Sequence, residues 1–467
     1  MLAFRPFGIA LLALVLARPA AAQPAGAEPG LVDQGRQLAT AGDCAGCHAT
    51  SLAGGAPIAS PMGAIYASNI TPDRATGIGS WTLRQFSDLL RRGVTPDGHI
   101  FPAMPYTSYT GLDDLQVKAL YSYFMLGVAP VSNRPPETHL PFPFVRAAII
   151  GWNALFLHEG RPAGAVDVIG AQRLRGRLLV ETLGHCTACH TPRGQLMQPL
   201  SDRHLGGAMI GGWWAPNITP GAGGIADWSD EKLASFLATG HVRGAIAAGE
   251  MSKVVARSLS NLTQGDIGAI VAYLRAVPPV ASTQTVERVR DAGGKALQVA
   301  ALEPAGNGGW QETVGHATTQ GPVLYQSACA SCHGIDGGGS VGQAHPSLRL
   351  VEGVMAPGGS TLVQVIAHGV DRNVDGDHAL MPGFRASLSD AQIAAAANYI
   401  RVQFGGVAGN LDEAGVPDIL DGSIGTPWLI RNAQWLSVAG IAIALMSLAA
   451  GGWRIARARR RRRLRHA

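Results

Sequence analysis

Six cysteines are present in 467 residues, and all six fall into three pentapeptides of one form: Cys44-Ala-Gly-Cys47-His48, Cys186-Thr-Ala-Cys189-His190 and Cys329-Ala-Ser-Cys332-His333. Two thiols one helical turn apart can add to the two vinyl groups on one edge of a haem, and the His that follows then lies under the iron as its proximal ligand; C-x-x-C-H is the attachment signature of c-type haem. Two other chemistries use paired cysteines. A redox disulfide has no need of a His directly after the second Cys in every copy, and a zinc clip needs a second ligand pair close by, which none of the three segments offers. The pentapeptides therefore predict three covalently bound haem c groups, attached through Cys44, Cys47, Cys186, Cys189, Cys329 and Cys332 and ligated by His48, His190 and His333.

The surroundings of the pentapeptides repeat. Asn69-Ile-Thr-Pro with Trp81 recurs as Asn217-Ile-Thr-Pro with Trp228, and helical stretches lead from these Trp residues to Gly93 and Gly240. Met104 and Met251 each stand eleven residues beyond that Gly, and Met381 stands twelve beyond Gly369. Amphipathic helices then run Leu112 to Tyr123, Leu262 to Tyr273 and Leu388 to Tyr399, with Thr263-Gln264 and Ser389-Asp390 as helix starts. A short helix precedes each pentapeptide. The order is helix, C-x-x-C-H, Gly- and Pro-rich loop, helix, Met loop, helix.

That order resembles the class I cytochrome c fold, in which N- and C-terminal helices cross and a Met covers the second haem face. The resemblance, together with the repeat register, implies Met104, Met251 and Met381 as distal ligands, ahead of Met62, Met125, Met197, Met209 and Met355. Met104-Pro105 and Met381-Pro382 match the family's Met-Pro habit, whereas Met251 is followed by Ser252. His/Met ligation fills both axial positions of an iron and leaves none open for a substrate. Other histidines (His99, His185, His204, His241, His345, His368, His378) are expected to hydrogen-bond in loops or at haem edges. Asp371-Arg-Asn373-Val-Asp375-Gly376 imitates the first half of a calcium loop, but Pro382 stands where a bidentate Glu is required.

Both ends of the chain bear on location. A weakly basic start, an apolar run from Gly8 to Ala17 and Ala20-Ala21-Ala22 predict a secretory signal peptide over residues 1–22. Trp435 to Trp453 is nineteen residues without a charge, flanked by Trp and followed by eight Arg, which predicts a membrane span over 433–453 with a cytoplasmic tail, 454–467, and haem domains facing the periplasm. The net charge of +5 sits in that tail: without the ten Arg of the two ends, the chain holds 27 basic against 32 acidic residues, so nucleic acid is not an expected partner. The apolar stretch Val145 to Leu157 is too short to span, and packing on a partner, lying at the membrane interface and filling a domain junction all remain open for it.

The expected architecture is mainly α: three class I cytochrome c-like domains in tandem (23–132, 166–280, 317–405), linkers at 133–165, 281–316 and 406–432, and one C-terminal transmembrane helix. Ile70-Thr-Pro-Asp73, Asp97-Gly-His99, Phe101-Pro-Ala-Met104-Pro-Tyr106, Gly184-His185, Thr191-Pro-Arg193 and Trp213-Trp-Ala-Pro-Asn-Ile-Thr219 carry a further resemblance. With them the whole chain is similar to the triheme cytochrome c subunit of acetic-acid-bacterial membrane dehydrogenases acting on alcohol, gluconate, sorbitol, fructose or aldehyde. The resemblance implies electron transfer from a catalytic subunit of quinone-cofactor (PQQ), flavin or molybdenum type, with a possible small third subunit, to ubiquinone, and no catalysis by this chain alone. The competing classes are a cytochrome subunit of another respiratory complex such as a terminal oxidase, and a stand-alone multihaem peroxidase, which would want one iron without Met.

Overall fold

A computed structural model describes residues 30–281, 318–340, 345–349, 351–374 and 376–464, so the predicted signal peptide and nearly all of the 281–316 linker lie outside the described residues. Each of the three segments that carries C-x-x-C-H builds a crossed pair of helices. Leu31–Ala41 crosses Asp114–Ser122; Ala171–Arg177, which continues as a wider turn over Leu178–Leu183, crosses Gln264–Leu274; Gly321–Ala328 crosses Asp390–Ile400. One glycine at each crossing lets the backbones meet. A Cβ on Gly35 or Gly176 would lie 2.0 Å from the carbonyl oxygen of Ala119 or Ala269, and one on Gly321 would lie 2.6 Å from Tyr399 Cβ. Tyr123 and Tyr273 make the same close approach to Gly35 and Gly176. The eleven-residue Leu-to-Tyr spacing thus has a packing cause: each Tyr lies over the glycine of the partner helix.

The second helix of each pair begins two residues later than its Leu because a polar side chain caps it there. Asp113 and Ser389 form capping boxes with Gln116 and Gln392, and Thr263 accepts from the Asp266 amide. Between the paired helices lie Leu83–Arg92, Asp230–Thr239 and Ser360–His368, ending at Gly93, Gly240 and Gly369 with φ of 66°, 75° and 75°. A hairpin follows each: Val94–Thr95 with Gly98–His99, His241–Val242 with Ala245–Ile246, and the longer Val370–Val374 with Asp377–Met381. The calcium-loop look-alike is this last hairpin. Gly376 turns it, and the Asp371 carboxylate lies 2.8 Å from His378 Nε2.

The repeated Asn-Ile-Thr is a clamp. Asn69 Oδ1 accepts from the Thr71 amide and hydroxyl, while its Nδ2 donates to the Val131 carbonyl at 2.7 Å; the Val131 amide donates back to Thr71 Oγ1. Asn217, Thr219 and Val280 repeat the arrangement. Each clamp ties the chain leaving the closing helix to the loop after the Cys pair.

One apolar core runs through the first two units, and the third has its own. At the first junction Arg257 grips the Asp43 carboxylate at 3.0–3.1 Å and Ser258 Oγ donates to the Ala41 carbonyl. At the second, Val374 packs on Val255 and Ala247, and buried Arg372 donates to the Gly240 carbonyl. The segment left open between residues 145 and 157 contains a helix, Ala148–Phe156, anchored by Ile149 against Ile65 and Phe101 and by Asn153, which accepts from Tyr106 Oη at 2.7 Å.

At the C-terminus a single helix, Ala433–Arg463, extends ten residues past the boundary expected at 453. Arg is a good helix former, so a charge run that ends a membrane span does not end a helix. Its apolar stretch is not buried against the protein, and by length and composition the helix is long and apolar enough to cross a membrane.

Two tests follow from the crossing. Gly176→Ala should cost about 1–3 kcal/mol by overpacking. Gly268→Ala, on the partner helix but 3.8 Å from its nearest neighbour, should be neutral or stabilising in the same thermal melt. The second concerns Asp266. Burial alone would raise its carboxyl, but Arg175, 2.7 Å away across the crossing, and Thr263 outweigh this and hold it below the ordinary 3.8. A depressed carboxyl stabilises the fold above its unfolded value and loses that contribution as pH falls through the folded one. Asp266→Asn should therefore lower the unfolding free energy read from a urea titration near neutral pH, by about 0.5–1 kcal/mol because Arg175 is partly exposed. The difference from the parent protein should shrink as pH falls below 3.8 and vanish once pH is below the depressed folded value.

Candidate haem-binding sites

In each site the Cys pair and its His share one turn of helix. His190 and His333 donate their backbone amides to the carbonyls of Cys186 and Cys329, at 2.9 and 3.0 Å, and Cys44–His48 is itself a short helix. Residues i, i+3 and i+4 of a helix lie on one face, so both thiols and the imidazole project together.

The imidazoles are fixed from behind in one way. His48 Nδ1 donates to the Ser68 carbonyl at 2.7 Å, His190 Nδ1 to that of Pro216 at 2.7 Å, and His333 Nδ1 to that of Pro346 at 3.0 Å. A carbonyl only accepts, so the proton sits on Nδ1 and the Nε2 lone pair is left for a metal. Burial holds all three imidazoles below their ordinary value, against the opposing effect of those hydrogen bonds, and so keeps them in the neutral form that ligation requires.

A glycine makes each hydrogen bond possible. Gly54, Gly207 and Gly339, with φ of 71°, 88° and 76°, each donate their amide to the carbonyl of the site His at 2.8 Å. A Cβ there would lie 2.4 Å from the Ala67 carbonyl oxygen, 2.7 Å from the Asn217 amide nitrogen or 2.4 Å from the His345 carbonyl oxygen. Sequence reasoning missed these glycines, because the acceptor carbonyls lie 20, 26 and 13 residues beyond their histidines and follow no spacing.

The thiols fit haem attachment and not dithiol exchange. Burial pushes Cys44 and Cys186 up to about 12 and Cys329 to about 11, whereas an exchanging cysteine needs a lowered value that yields thiolate. The donor set is thus two thiols and one neutral, oriented imidazole per site, which suits covalent haem c.

The methionines differ from one site to the next. Met104 precedes Pro105, which opens the short helix Tyr106–Tyr109. Met251 lies inside a helix, Gly249–Arg257, rather than in a loop; with Ser252 in place of proline, the helix starts before the Met. Met381 is the last residue of its strand, because the longer hairpin replaces the three residues that separate Ile100 from Met104 and Ala247 from Met251. Met104 and Met251 pack half-buried on the core that Cys44 and Cys186 also line, and Met381 joins neither that core nor the third unit's. Among their competitors, Met209 receives the Ser360 hydroxyl on its sulfur at the junction with the third unit, and Met355 is buried beside Gly405.

His204 and His185 serve the structure. His204 Nε2 lies 2.9 Å from Glu181 Oε1, which also accepts from Tyr273 Oη at 2.7 Å, an enclosed triad beside Cys186. Glu181 was not singled out from the sequence; its signal is an acid inside the apolar run Leu178 to Leu183. The His185 ring meets Tyr109 edge-on, centroids 6.0 Å apart, between the first two sites.

Crossed helices around a Cys-Cys-His turn with a carbonyl-locked imidazole define a c-type cytochrome. Comparison with known proteins agrees. The Cytochrome c family model matches residues 32–126 and 174–278, and the model for Cytochrome C oxidase, cbb3-type, subunit III matches 316–400. The chain is 39% identical to the fructose dehydrogenase cytochrome subunit of Gluconobacter japonicus, over 98% of this chain and 99% of that one. It is 34% identical to the cytochrome c subunit of alcohol dehydrogenase (quinone) from Gluconacetobacter polyoxogenes, over 95% and 94%, and 37% identical to the gluconate 2-dehydrogenase cytochrome c subunit of Pantoea cypripedii, over 81% and 87%. The chain belongs to this family of dehydrogenase cytochrome c subunits.

Proposed function

We propose that this chain is the electron-carrying subunit of a membrane dehydrogenase complex, with three covalently attached haem c groups in tandem domains at 23–132, 166–280 and 317–405. It takes electrons from a periplasmic catalytic subunit and delivers them to ubiquinone. Bound haem iron supplies reversible one-electron chemistry. The residues supply the rest. Cys44, Cys47, Cys186, Cys189, Cys329 and Cys332 would fix the groups by thioethers, and His48, His190 and His333 together with Met104, Met251 and Met381 would ligate the irons. The observation that carries the reading is the hydrogen bond from each His Nδ1 to a backbone carbonyl, made three times in one chain. Arg257 and Asp43 support it, since they join the helix of Met251 to the residue before Cys44 and hold the first two sites together. The helix from Ala433 anchors the chain, with its Arg-rich end in the cytoplasm.

An oxidase subunit is the second reading, favoured by the family match at 316–400 alone. Likeness to dehydrogenase subunits over nearly the whole chain weighs against it. Co-purification from native membranes separates the two, because a dehydrogenase catalytic subunit, of PQQ, flavin or molybdenum type, should accompany the chain.

Replacing Met104, Met251 or Met381 by Ala should each turn one low-spin site high-spin or His/water-ligated and lower its potential, read by absorption spectra and redox titration. Met62→Ala and Met355→Ala should leave the spectra unchanged. If Met381→Ala keeps three Met-ligated sites, the third assignment is wrong.

Function is tested on the complex. The chain alone should oxidise no alcohol, sugar or aldehyde, whereas the complex should couple substrate oxidation to reduction of a ubiquinone analogue. His190→Ala or His333→Ala should abolish quinone reduction and spare reduction of a soluble dye by the catalytic subunit. Quinone reduction that survives loss of all three site histidines would make this chain an anchor and not a conduit.

A further inference from the structure

The Ala148–Phe156 helix has one committed face and one bare one. Inward, Ile149 is buried with Ile65 and Phe101, and Asn153 bonds to Tyr106 and to the Arg92 carbonyl. Outward, Ile150 is 57% and Leu155 66% exposed, and Phe142 and Val145 ahead of the helix are 58% and 45% exposed. From Ala147 to Leu157 there is no charged residue. Nine helical residues span about 14 Å, far short of a bilayer core, so any contact of this face with lipid is along the surface.

The position of the face selects its occupant. Trp152 Nε1 donates to the Leu196 carbonyl at 2.8 Å, and the adjoining Gln195 Oε1 accepts from the Leu429 amide at 3.1 Å. Leu429 lies in Trp428–Arg431, the short helix that leads into Ala433–Arg463. Leu196 is itself exposed, as is Trp428. Two hydrogen bonds through one loop therefore tie the bare helix to the root of the C-terminal helix, with exposed Leu196 and Trp428 along that path. Arg146, exposed and two residues ahead of the bare helix, lies over the Phe101 ring, and a cation beside an apolar face suits anionic headgroups.

We propose that the outward face of Ala148–Phe156, with Phe142, Val145 and Leu196, lies in the headgroup layer of the membrane as a second, in-plane contact beside the spanning helix. This rests on reading Ala433–Arg463 as a membrane span. With both contacts, the haem-bearing body is held at a fixed tilt to the lipid surface; a single helix would leave it free to swing.

The full-length, haem-loaded protein is placed in nanodiscs of phosphatidylcholine and phosphatidylglycerol that contain a phospholipid with a photoreactive diazirine in its acyl chain, and adducts are mapped by mass spectrometry. Adducts are expected on residues 142–157 and on the C-terminal helix. Those on 142–157 should fall at least several-fold in Ile150→Glu/Leu155→Glu, with adducts on the C-terminal helix unchanged. Labelling of the C-terminal helix with none on 142–157 would overturn the in-plane contact alone, and no labelling of either would overturn the span reading with it. In the purified complex, a photocrosslink from Leu155→p-benzoylphenylalanine to another subunit would assign the face to a protein partner and overturn the proposal.

Discussion

Everything around the candidate haem sites hangs on how closely two helices can cross. The backbones of Gly35, Gly176 and Gly321 touch the facing chain directly, and the β-carbon of a Tyr lies against each contact. From that contact the leading helix runs into the Cys pair, and the closing helix returns the chain to the Asn-Thr clamp. The imidazole-to-carbonyl bonds are set at the far end of the same frame.

What could be read from the sequence was what side-chain chemistry fixes. Only Cys can form the thioether and only His is wanted after it, so those positions carry their own label. The caps were legible at Thr263 and Ser389 because a capping side chain must be a short oxygen bearer. The partners that were not legible are backbone groups. The carbonyls of Ser68, Pro216 and Pro346 could belong to any residue, as could those of Val131 and Val280 that close the clamps. Asn-Ile-Thr was visible as a repeat before its purpose was. Met251 belongs to a helix where a loop was expected, for want of a proline, and the third hairpin is longer than its counterparts because its strands are. The apolar stretch around Trp152 left three readings open because its pattern is apolar on both faces, and only tertiary contacts choose which side turns inward.

Two of the polar groups that were overlooked find their partners across a junction between units. Asp43 waits for Arg257 more than two hundred residues later; burial raises its carboxyl, and the guanidinium opposes that rise. Arg372 enters the second unit to reach the Gly240 carbonyl. Such pairs add less stability than register, because a charge buried without its partner is costly and excludes other docking geometries.

The core shared by the first two units has a thermodynamic meaning that their separate haem motifs conceal. Leu38, Leu120, Leu183 and Ile270 belong to one continuous apolar cluster, whereas Tyr325, Ile393 and Phe404 of the third unit belong to another. Segments that bury each other's surface open together, and segments with separate cores open apart. The first two sites are therefore one cooperative body: heat or denaturant that frees one Cys-Cys-His turn frees the other in the same step. The third, which has its own core and meets the second through the Val374 cluster and polar contacts such as Arg372 with Gly240 and Ser360 with Met209, is able to open separately.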